Sequence, residues 1–244
     1  MQTLLHKAQT RGSANHGWLQ ANHTFSFASY RDPSRMHFGV LRVLNDDLIA
    51  GGGGFGTHPH DNMEIITIPL KGALAHKDSM GNASVIHAGD VQVMSAGTGV
   101  YHSEFNHYPD KECNLLQIWL FPNQRNVAPR YQQISFGEKL LHNQLNQILS
   151  PSEKDEGVWI YQNAYFHLGK FNVGTNFSYT LKDPANNGLY AFLIEGQMQV
   201  KAQDQTLDLH KRDGAGFWET TQTPLEFKAL ADSHILLMEV PMAL

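Results

Sequence analysis

Apolar and polar residues alternate along short stretches that recur through the whole chain. Residues 37–44 alternate in this way, and residues 64–70 form a run rich in β-branched side chains. A period of two is typical of β-strands. Glycine, aspartate and asparagine separate the predicted strands, which lie at residues 37–44, 64–70, 85–86, 91–94, 115–121, 177–181, 190–194, 198–202, 216–218 and 235–240. Many short strands with hardly any helical periodicity predict an all-β protein of the sandwich or jelly-roll type.

Two parts of the chain resemble each other at a nearly constant distance. The segment 70–74 (Leu-Lys-Gly-Ala-Leu) resembles 194–198 (Ile-Glu-Gly-Gln-Met), which places Gly196 124 residues after Gly72. The segment that begins with His87 resembles the one that begins with His210, 123 residues later. This offset predicts two tandem copies of one barrel.

A stretch of different composition separates the two copies. From residue 123 to residue 151 glutamine, asparagine, proline and arginine predominate, and no strand pattern returns before Trp159. We predict a short linker over residues 131–155, with a short helix around residues 140–149. The predicted domains are then an N-terminal barrel over residues 1–130 and a C-terminal barrel over residues 156–244.

Composition and charge exclude several classes of protein. The chain of 244 residues is 41% hydrophobic and 17% charged, as in soluble globular proteins, and none of its apolar runs approaches the roughly 20 residues that span a bilayer. Its start has no pattern of a secretion signal, so we expect a cytoplasmic protein. The net charge is -5 and the basic residues are scattered, which argues against direct binding of nucleic acid. We expect a monomer, and the one cysteine, Cys113, is predicted to be a core residue.

Two pairs of potential metal ligands have the same spacing. His58 and His60 are two residues apart, and so are His102 and Glu104. Residues two apart in a strand share one face, so each pair points one way. If the two faces oppose each other, three imidazoles and one carboxylate converge on one point. Such donors suit a divalent ion such as iron, nickel, copper or zinc, with coordination positions left open.

Other interpretations compete with this one. An isolated His-x-His is often fortuitous in a chain with 14 histidines, and the prediction depends on the second pair having the same parity. Glu64 lies four residues after His60, so it is an alternative carboxylate ligand or a residue that fixes an imidazole tautomer. The glycine-rich segment 51–56 lacks the Lys-Ser/Thr of a phosphate-binding loop, and it is better explained by a close approach of the backbone.

The same residues resemble a known family. Gly52, His58-Pro59-His60, Glu64 and Gly72 follow the first cupin motif with one extra residue before the last glycine. The second motif matches with two extra residues before its histidine and with a serine in place of a proline, at Gly89, Ser95, Gly97, His102 and Asn106. The run 94–104 (Met-Ser-Ala-Gly-Thr-Gly-Val-Tyr-His-Ser-Glu) together with residues 58–60 is similar to the pirin family. This resemblance covers the N-terminal half and continues more weakly to the C-terminus.

The resemblance implies a fold and a ligand set. Pirins are bicupins, with two tandem jelly-roll (double-stranded β-helix) barrels, and they bind iron in the N-terminal one. The implied ligands are His58, His60, His102 and Glu104, and Glu64 then takes a supporting position beside them. Adding the repeat offset to these ligands leads to Lys182, Pro184, Leu225 and Phe227, so the C-terminal barrel is predicted to hold no metal. Fe(II) is the first expectation, with Mn, Ni, Co, Cu or Zn as alternatives.

The resemblance also implies a reaction. Bacterial pirin-like proteins include quercetin 2,3-dioxygenases, whose substrates are a flavonol and dioxygen. The metal would favour the deprotonated 3-hydroxyl of the flavonol, and Glu104 would take the proton, with Glu64 as the alternative base. The ring then opens with release of carbon monoxide. An apolar mouth for this flat substrate is predicted from Phe55, Met63, Met94 and Trp119.

Two other functions compete with the dioxygenase. Some pirins act without catalysis, as regulators that bind a protein partner while the redox state of the metal serves as a switch. A purely structural metal is the third possibility, and the open coordination positions argue against it.

Overall fold

The prediction of an all-β protein is confirmed by the computed structural model, which describes residues 1–220 and 222–244. No α-helix occurs in that part of the chain, and its helical turns are the 3-10 turns η1 (Ala8–Thr10) and η2 (Gly137–Lys139). The strands of the first half are β1 (Gln2–His6), β2 (Gly12–Asn15), β3 (Leu19–His23), β4 (Leu41–Ile49), β5 (Gly54–His60), β6 (Glu64–Lys71), β7 (Ala73–Asp78), β8 (Ala83–His87), β9 (Asp90–Ser95), β10 (Val100–Asn106), β11 (Cys113–Leu120) and β12 (Arg130–Ser135).

The second half repeats this arrangement. Its strands are β13 (Leu145–Ser150), β14 (Val158–Trp159), β15 (Tyr165–Phe171), β16 (Asn176–Tyr179), β17 (Asn187–Glu195), β18 (Gln197–Ala202), β19 (Gln205–His210), β20 (Gly214–Trp218), β21 (Leu225–Ala229) and β22 (Ser233–Pro241). Each barrel contains one sheet of seven strands and one of four, and the eleventh strand of the second barrel is β1. The two tandem barrels predicted from the repeat are thus present.

Each large sheet is paired with a small one. In the first barrel the orders are β12-β9-β6-β11-β4-β3-β2 and β5-β10-β7-β8. In the second they are β1-β20-β17-β22-β15-β13-β14 and β16-β21-β18-β19. Strand β1 therefore belongs to the second barrel, where Gln2 lies opposite Trp218 and His6 opposite Gly214. The pairing of β1 with β20 therefore attaches the first residues of the chain to the second barrel.

The largest cluster of buried apolar side chains is shared by the two halves. Leu44, Ile66 and Ile118 from the first large sheet belong to the same cluster as Phe166 and Leu236 from the second. The other face of the first large sheet is turned into its own barrel. Because both faces are buried, strands such as β6 and β11 are nearly continuous apolar runs rather than strict alternations.

The region predicted as a linker differs from the prediction. Residues 130–135 form β12, which pairs with β9, and residues 145–150 form β13, which pairs with β15. The short helix predicted around residues 140–149 is wrong, because most of that stretch is strand β13 and the nearby helical turn is η2. Strands β12 and β13 were not recognised in the sequence because their composition is polar. In the case of β12 the reason is that it is an edge strand, which buries few side chains completely.

The start of the chain also differs from expectation. The aromatic residues around position 25 predict a first strand or an extended lead-in. No strand forms there in the described structure, where Phe25 is a buried core residue and Phe27 forms an isolated bridge with Tyr30. Cys113 is buried at the start of β11, as expected. Among the residues described, no helix has both the length and the apolar character needed to cross a membrane.

Candidate metal centre

Three histidines converge on the inner side of the small sheet of the first barrel. Strands β5 and β10 are antiparallel, and they place His58 directly opposite His102. The ring centroids of His58 and His102 are 4.4 Å apart, and that of His60 lies 4.9 Å from each of them. One nitrogen of each ring lies within 4.8 Å of one nitrogen of each other ring. This spacing suits three ligands of one ion.

Glu104 lies on the same strand and is held from behind by the large sheet. It is buried, and its Oε2 accepts a hydrogen bond from Gln117 Nε2 at 3.1 Å. The hydroxyl of Thr67 lies within hydrogen-bond distance of two acceptors, 3.5 Å from Oε1 of Glu104 and 3.3 Å from Oε1 of Gln117. The carboxylate groups with His102 and His76 within 4.8 Å rather than with the first two histidines. Glu104 thus stands beside the three imidazoles, on the inner side of the site.

Burial and hydrogen bonding act in opposite directions on Glu104. Burial raises its pKa to about 7, while the hydrogen bonds from Gln117 and Thr67 lower it. In the metal-free site the carboxyl group is therefore partly protonated near neutral pH.

A fourth histidine, His76, lies next to this carboxylate and escaped the sequence analysis. Its Nε2 donates to Asp78 Oδ2 at 3.1 Å, since a carboxylate only accepts. Asp78 is itself held by Met80 and Asn82 through hydrogen bonds of 2.8–3.0 Å. Nδ1 of His76 is buried and has no partner among the described residues. The signal in the sequence that could have identified His76 is a His-x-Asp pair at the end of a strand, just before a turn.

The protonation of these imidazoles suits a metal. Burial, and then the neighbouring His58, lowers the pKa of His60 to about 4 and that of His102 to about 3. Both rings are therefore neutral at pH 7 and keep a lone pair for coordination. The Nδ1 of His58 lies 2.8 Å from the carbonyl oxygen of Gly56, so it donates there and leaves Nε2 free.

The buried ring nitrogens of His102 have no hydrogen-bond partner among the described residues, which is consistent with a metal ligand. Within residues 1–220 and 222–244, neither nitrogen of His102 has a hydrogen-bond partner, although the side chain is buried. Buried polar atoms without partners are costly unless an ion or a water satisfies them. Imidazoles together with a carboxylate fit a divalent transition-metal ion. Both groups of potential ligands found in the described chain lie in the first barrel, and Leu225 and Phe227 are buried core residues of the second.

Glu64 does not face the three histidines. Strand β5 ends at His60 and β6 begins at Glu64, with Asn62 at a φ of 45° in the bend between them. Side-chain alternation is not continuous across such a break, so the spacing of four residues does not place Glu64 on the same face as His60. Glu64 and Thr67 lie three residues apart in β6, so their side chains point to opposite faces of the sheet. The hydroxyl of Thr67 points to Glu104, whereas the carboxylate of Glu64 accepts a hydrogen bond from Ser95 Oγ at 2.6 Å. Burial raises the pKa of Glu64 to about 7.

A cavity of about 460 Å³ opens beside the imidazoles of His58 and His60. One part of its wall is aromatic and the other is polar. The aromatic residues are Trp18, Phe27, Phe55 and Trp119, and the polar ones are Asn45, Asp47, Glu104 and Gln117. The volume falls in the range of small-molecule sites.

Two of the four residues predicted to line the mouth of the cavity lie in its wall. Phe55 and Trp119 lie in the wall, and Trp119 meets His60 edge to face with ring centroids 4.9 Å apart. Met63 and Met94 lie outside it, in an apolar cluster with Ile65. Trp18, Phe27 and Asp47 were missed because they come from strands or loops far away in the chain.

Comparison with known proteins gives one consistent result. Residues 5–120 match the family described as Pirin, and residues 147–240 match the quercetinase C-terminal cupin domain. A quercetin 2,3-dioxygenase of Escherichia coli (strain K12) is 38% identical over 97% of this chain and 98% of its own length. A pirin-like protein of Caulobacter vibrioides is 37% identical over 93% and 95%. The solved structure of the bacterial pirin YhhW from Escherichia coli in complex with nickel(II) has a TM-score of 0.90 at 37% identity, covering 98% of this chain and 99% of that one.

Proposed function

The chain belongs to the pirin family, and from this premise we propose that it is a metal-dependent dioxygenase that cleaves flavonols. One observation carries the proposal: the imidazoles of His58 and His60, which form one cluster of potential ligands with His102, border a cavity that is aromatic on one side and carries the buried Glu104 on the other. A flat, hydroxylated aromatic compound matches both sides. The names of the relatives agree with this substrate class.

We propose that His58, His60, His102 and Glu104 hold the ion, with His76 next to Glu104. Fe(II) is our first choice, and Mn, Ni, Co, Cu and Zn are the alternatives. Nickel(II) is the ion named in the solved pirin of Escherichia coli. When bound, the metal supplies Lewis acidity that favours the deprotonated 3-hydroxyl of the flavonol.

The side chains of the cavity then have distinct tasks. The aromatic wall holds the rings and excludes water. Glu104 takes the proton of the 3-hydroxyl, and Gln117 fixes the orientation of its carboxylate. In the overall reaction one flavonol and one dioxygen give an ester of two aromatic acids and one carbon monoxide. Dioxygen is the oxidant, and its two oxygen atoms end in the ester product.

The test is turnover by the reconstituted protein. The apoprotein would be loaded without oxygen with ferrous, manganous, cobaltous, nickel or cupric ion, mixed with quercetin and exposed to air. We expect loss of the flavonol absorbance and release of carbon monoxide with at least one metal. His60→Ala should abolish both, while His142→Ala, at an exposed histidine outside the centre, should keep them. The proposal fails if no metal form consumes the flavonol.

A regulator that binds a protein partner is the second candidate, and one observation favours it. Strand β10 turns His102 and Glu104 inward, and its alternate residues Tyr101 and Phe105 are 58% and 42% exposed. Exposed aromatic residues next to a metal site suit a contact that senses the state of the metal. Two results together would favour the regulator over the enzyme. No metal form would consume the flavonol, and a protein partner that binds the wild-type protein would not bind Tyr101→Ala.

A further inference from the structure

Asp47 is a buried carboxyl group that the reaction outlined above does not use. It lies on β4 in the large sheet of the first barrel, between Leu115 of β11 and Ala21 of β3. Its side chain is 5% exposed and lines the same cavity as His58 and Glu104. Its Oδ1 has no hydrogen-bond partner in the part of the chain that the structure describes.

The preceding residue shows how unusual this is. Asp46 points to the other face of β4, where Arg11 Nη1 lies 3.2 Å and Arg212 Nε 3.4 Å from its Oδ2. Asn114 Nδ2 donates to its Oδ1 at 3.0 Å. Two adjacent carboxyl groups are thus buried, and only Asp46 is neutralised by protein partners. A buried carboxyl without a partner is unfavourable, and in native proteins it calls for an explanation.

Neighbouring polar residues of the wall form hydrogen bonds within the protein. The Oδ1 of Asn45 is 2.9 Å from His23 Nδ1, and Gln117 is bonded to Glu104 and Thr67. Asp47 therefore offers a buried carboxyl oxygen without a partner among the described residues, at the wall of this cavity. Burial, with the charges of Asp46 and Glu104, raises the pKa of Asp47 to about 8, so near neutral pH the carboxylic acid both donates and accepts.

We propose that Asp47 is the residue that selects the hydroxylation pattern of the substrate, through a hydrogen bond from its carboxyl group to a ring hydroxyl other than the 3-hydroxyl. This inference rests on the proposed function, because it assumes that a flavonol occupies the cavity. A site built to bond a hydroxyl discriminates strongly against an analogue that lacks it, since the buried protein group is then left unpaired. Asp47 is thus a specificity-determining residue, separate from the ligands of the metal.

The test compares two flavonols by binding rather than by turnover. Protein loaded with zinc and kept free of oxygen would be titrated with quercetin, which carries hydroxyls on both outer rings, and with 3-hydroxyflavone, which carries only the 3-hydroxyl. Wild-type protein should prefer quercetin. In Asp47→Leu this preference should fall by about tenfold, while the affinity for 3-hydroxyflavone stays the same. Asp47→Asn keeps a donor and an acceptor and should retain most of the preference.

Control measurements separate recognition from structure. Asp204→Leu replaces an exposed carboxyl in the second barrel and should leave both affinities unchanged. Melting temperature and zinc content should match wild type in all variants. The inference is overturned, with the proposed function intact, if Asp47→Leu weakens both flavonols equally or changes neither. If wild-type protein binds neither flavonol, both the inference and the proposed function fail.

Discussion

The contribution of Glu104 to the stability of the apoprotein should become less favourable as pH rises, because this carboxyl group is buried without a metal to compensate its charge. Its pKa is about 7 instead of the ordinary 4.5. Folding then favours the protonated form, so the penalty is absent well below pH 4.5, grows as the pH rises from 4.5 to 7 and levels off above pH 7. A rise of this size corresponds to roughly 3 kcal/mol against the folded state at high pH.

Glu104→Gln isolates this effect. Glutamine has the same shape and still accepts a hydrogen bond from Gln117, but it carries no charge. We expect the metal-free variant to be more stable than wild type by less than about 1 kcal/mol at pH 5 and by roughly 2–3 kcal/mol at pH 8. In a protein of this size that difference is several degrees of melting temperature.

The assay is urea or thermal unfolding of chelator-treated protein between pH 5 and pH 8. Taking the difference between variant and wild type cancels the opposite trend of the buried histidines, which are the same in both proteins. Glu226→Gln, at an exposed glutamate of the second barrel, is the control and should show no pH-dependent difference. A constant difference between Glu104→Gln and wild type across this pH range would refute the reasoning.

Three further predictions follow from other parts of the molecule. His76→Ala should lower metal affinity by about 10- to 100-fold, as loss of an outer partner typically does, and Asp78→Asn should have a smaller effect in the same chelator-competition assay; unchanged affinity in both would remove His76 from the centre. Phe27→Leu should raise the KM for quercetin several-fold with kcat nearly unchanged, measured by initial rates, and an equal fall in kcat would contradict a binding role. Gly39→Ala should lower the free energy of unfolding by more than about 2 kcal/mol in a denaturation experiment. Gly39 has a φ of 52°, and an added Cβ would lie 2.1 Å from the carbonyl oxygen of Pro241. Gly174→Ala, also at positive φ but in open space, is the control and should lower it less.

The proximity of the ligands depends on a regularity that any extended chain obeys. Side chains alternate across a strand, so His58 shares a face with His60, and His102 shares one with Glu104, wherever those strands lie. The same regularity failed for Glu64, because a bend at residues 61–63 separates two strands. Parity holds only within one unbroken strand.

Other features of the centre come from strand order alone. Gln117 and Thr67 reach Glu104 because β11 and β6 are neighbours in the large sheet, and Asn45 lies opposite Gln117 on β4. Asp47 stands beside the cavity for the same reason. In the sequence these are ordinary polar residues on apolar strands. Their separations along the chain, from 13 to 50 residues for the Glu104 contacts and the bond between Thr67 and Gln117, exceed the reach of any local pattern.

The amino-acid sequence by itself determined the all-β class, the tandem repeat, the family and the parity of the two donor pairs, because each of these is written in residues close together or in a constant offset. Only the tertiary structure decided that β1 crosses to the second barrel, that the supposed linker consists of strands, and which side chains support Glu104 or face the cavity. These depend on which strands pair across long stretches of chain, and that choice is made by burial of the whole sheet rather than by any one segment.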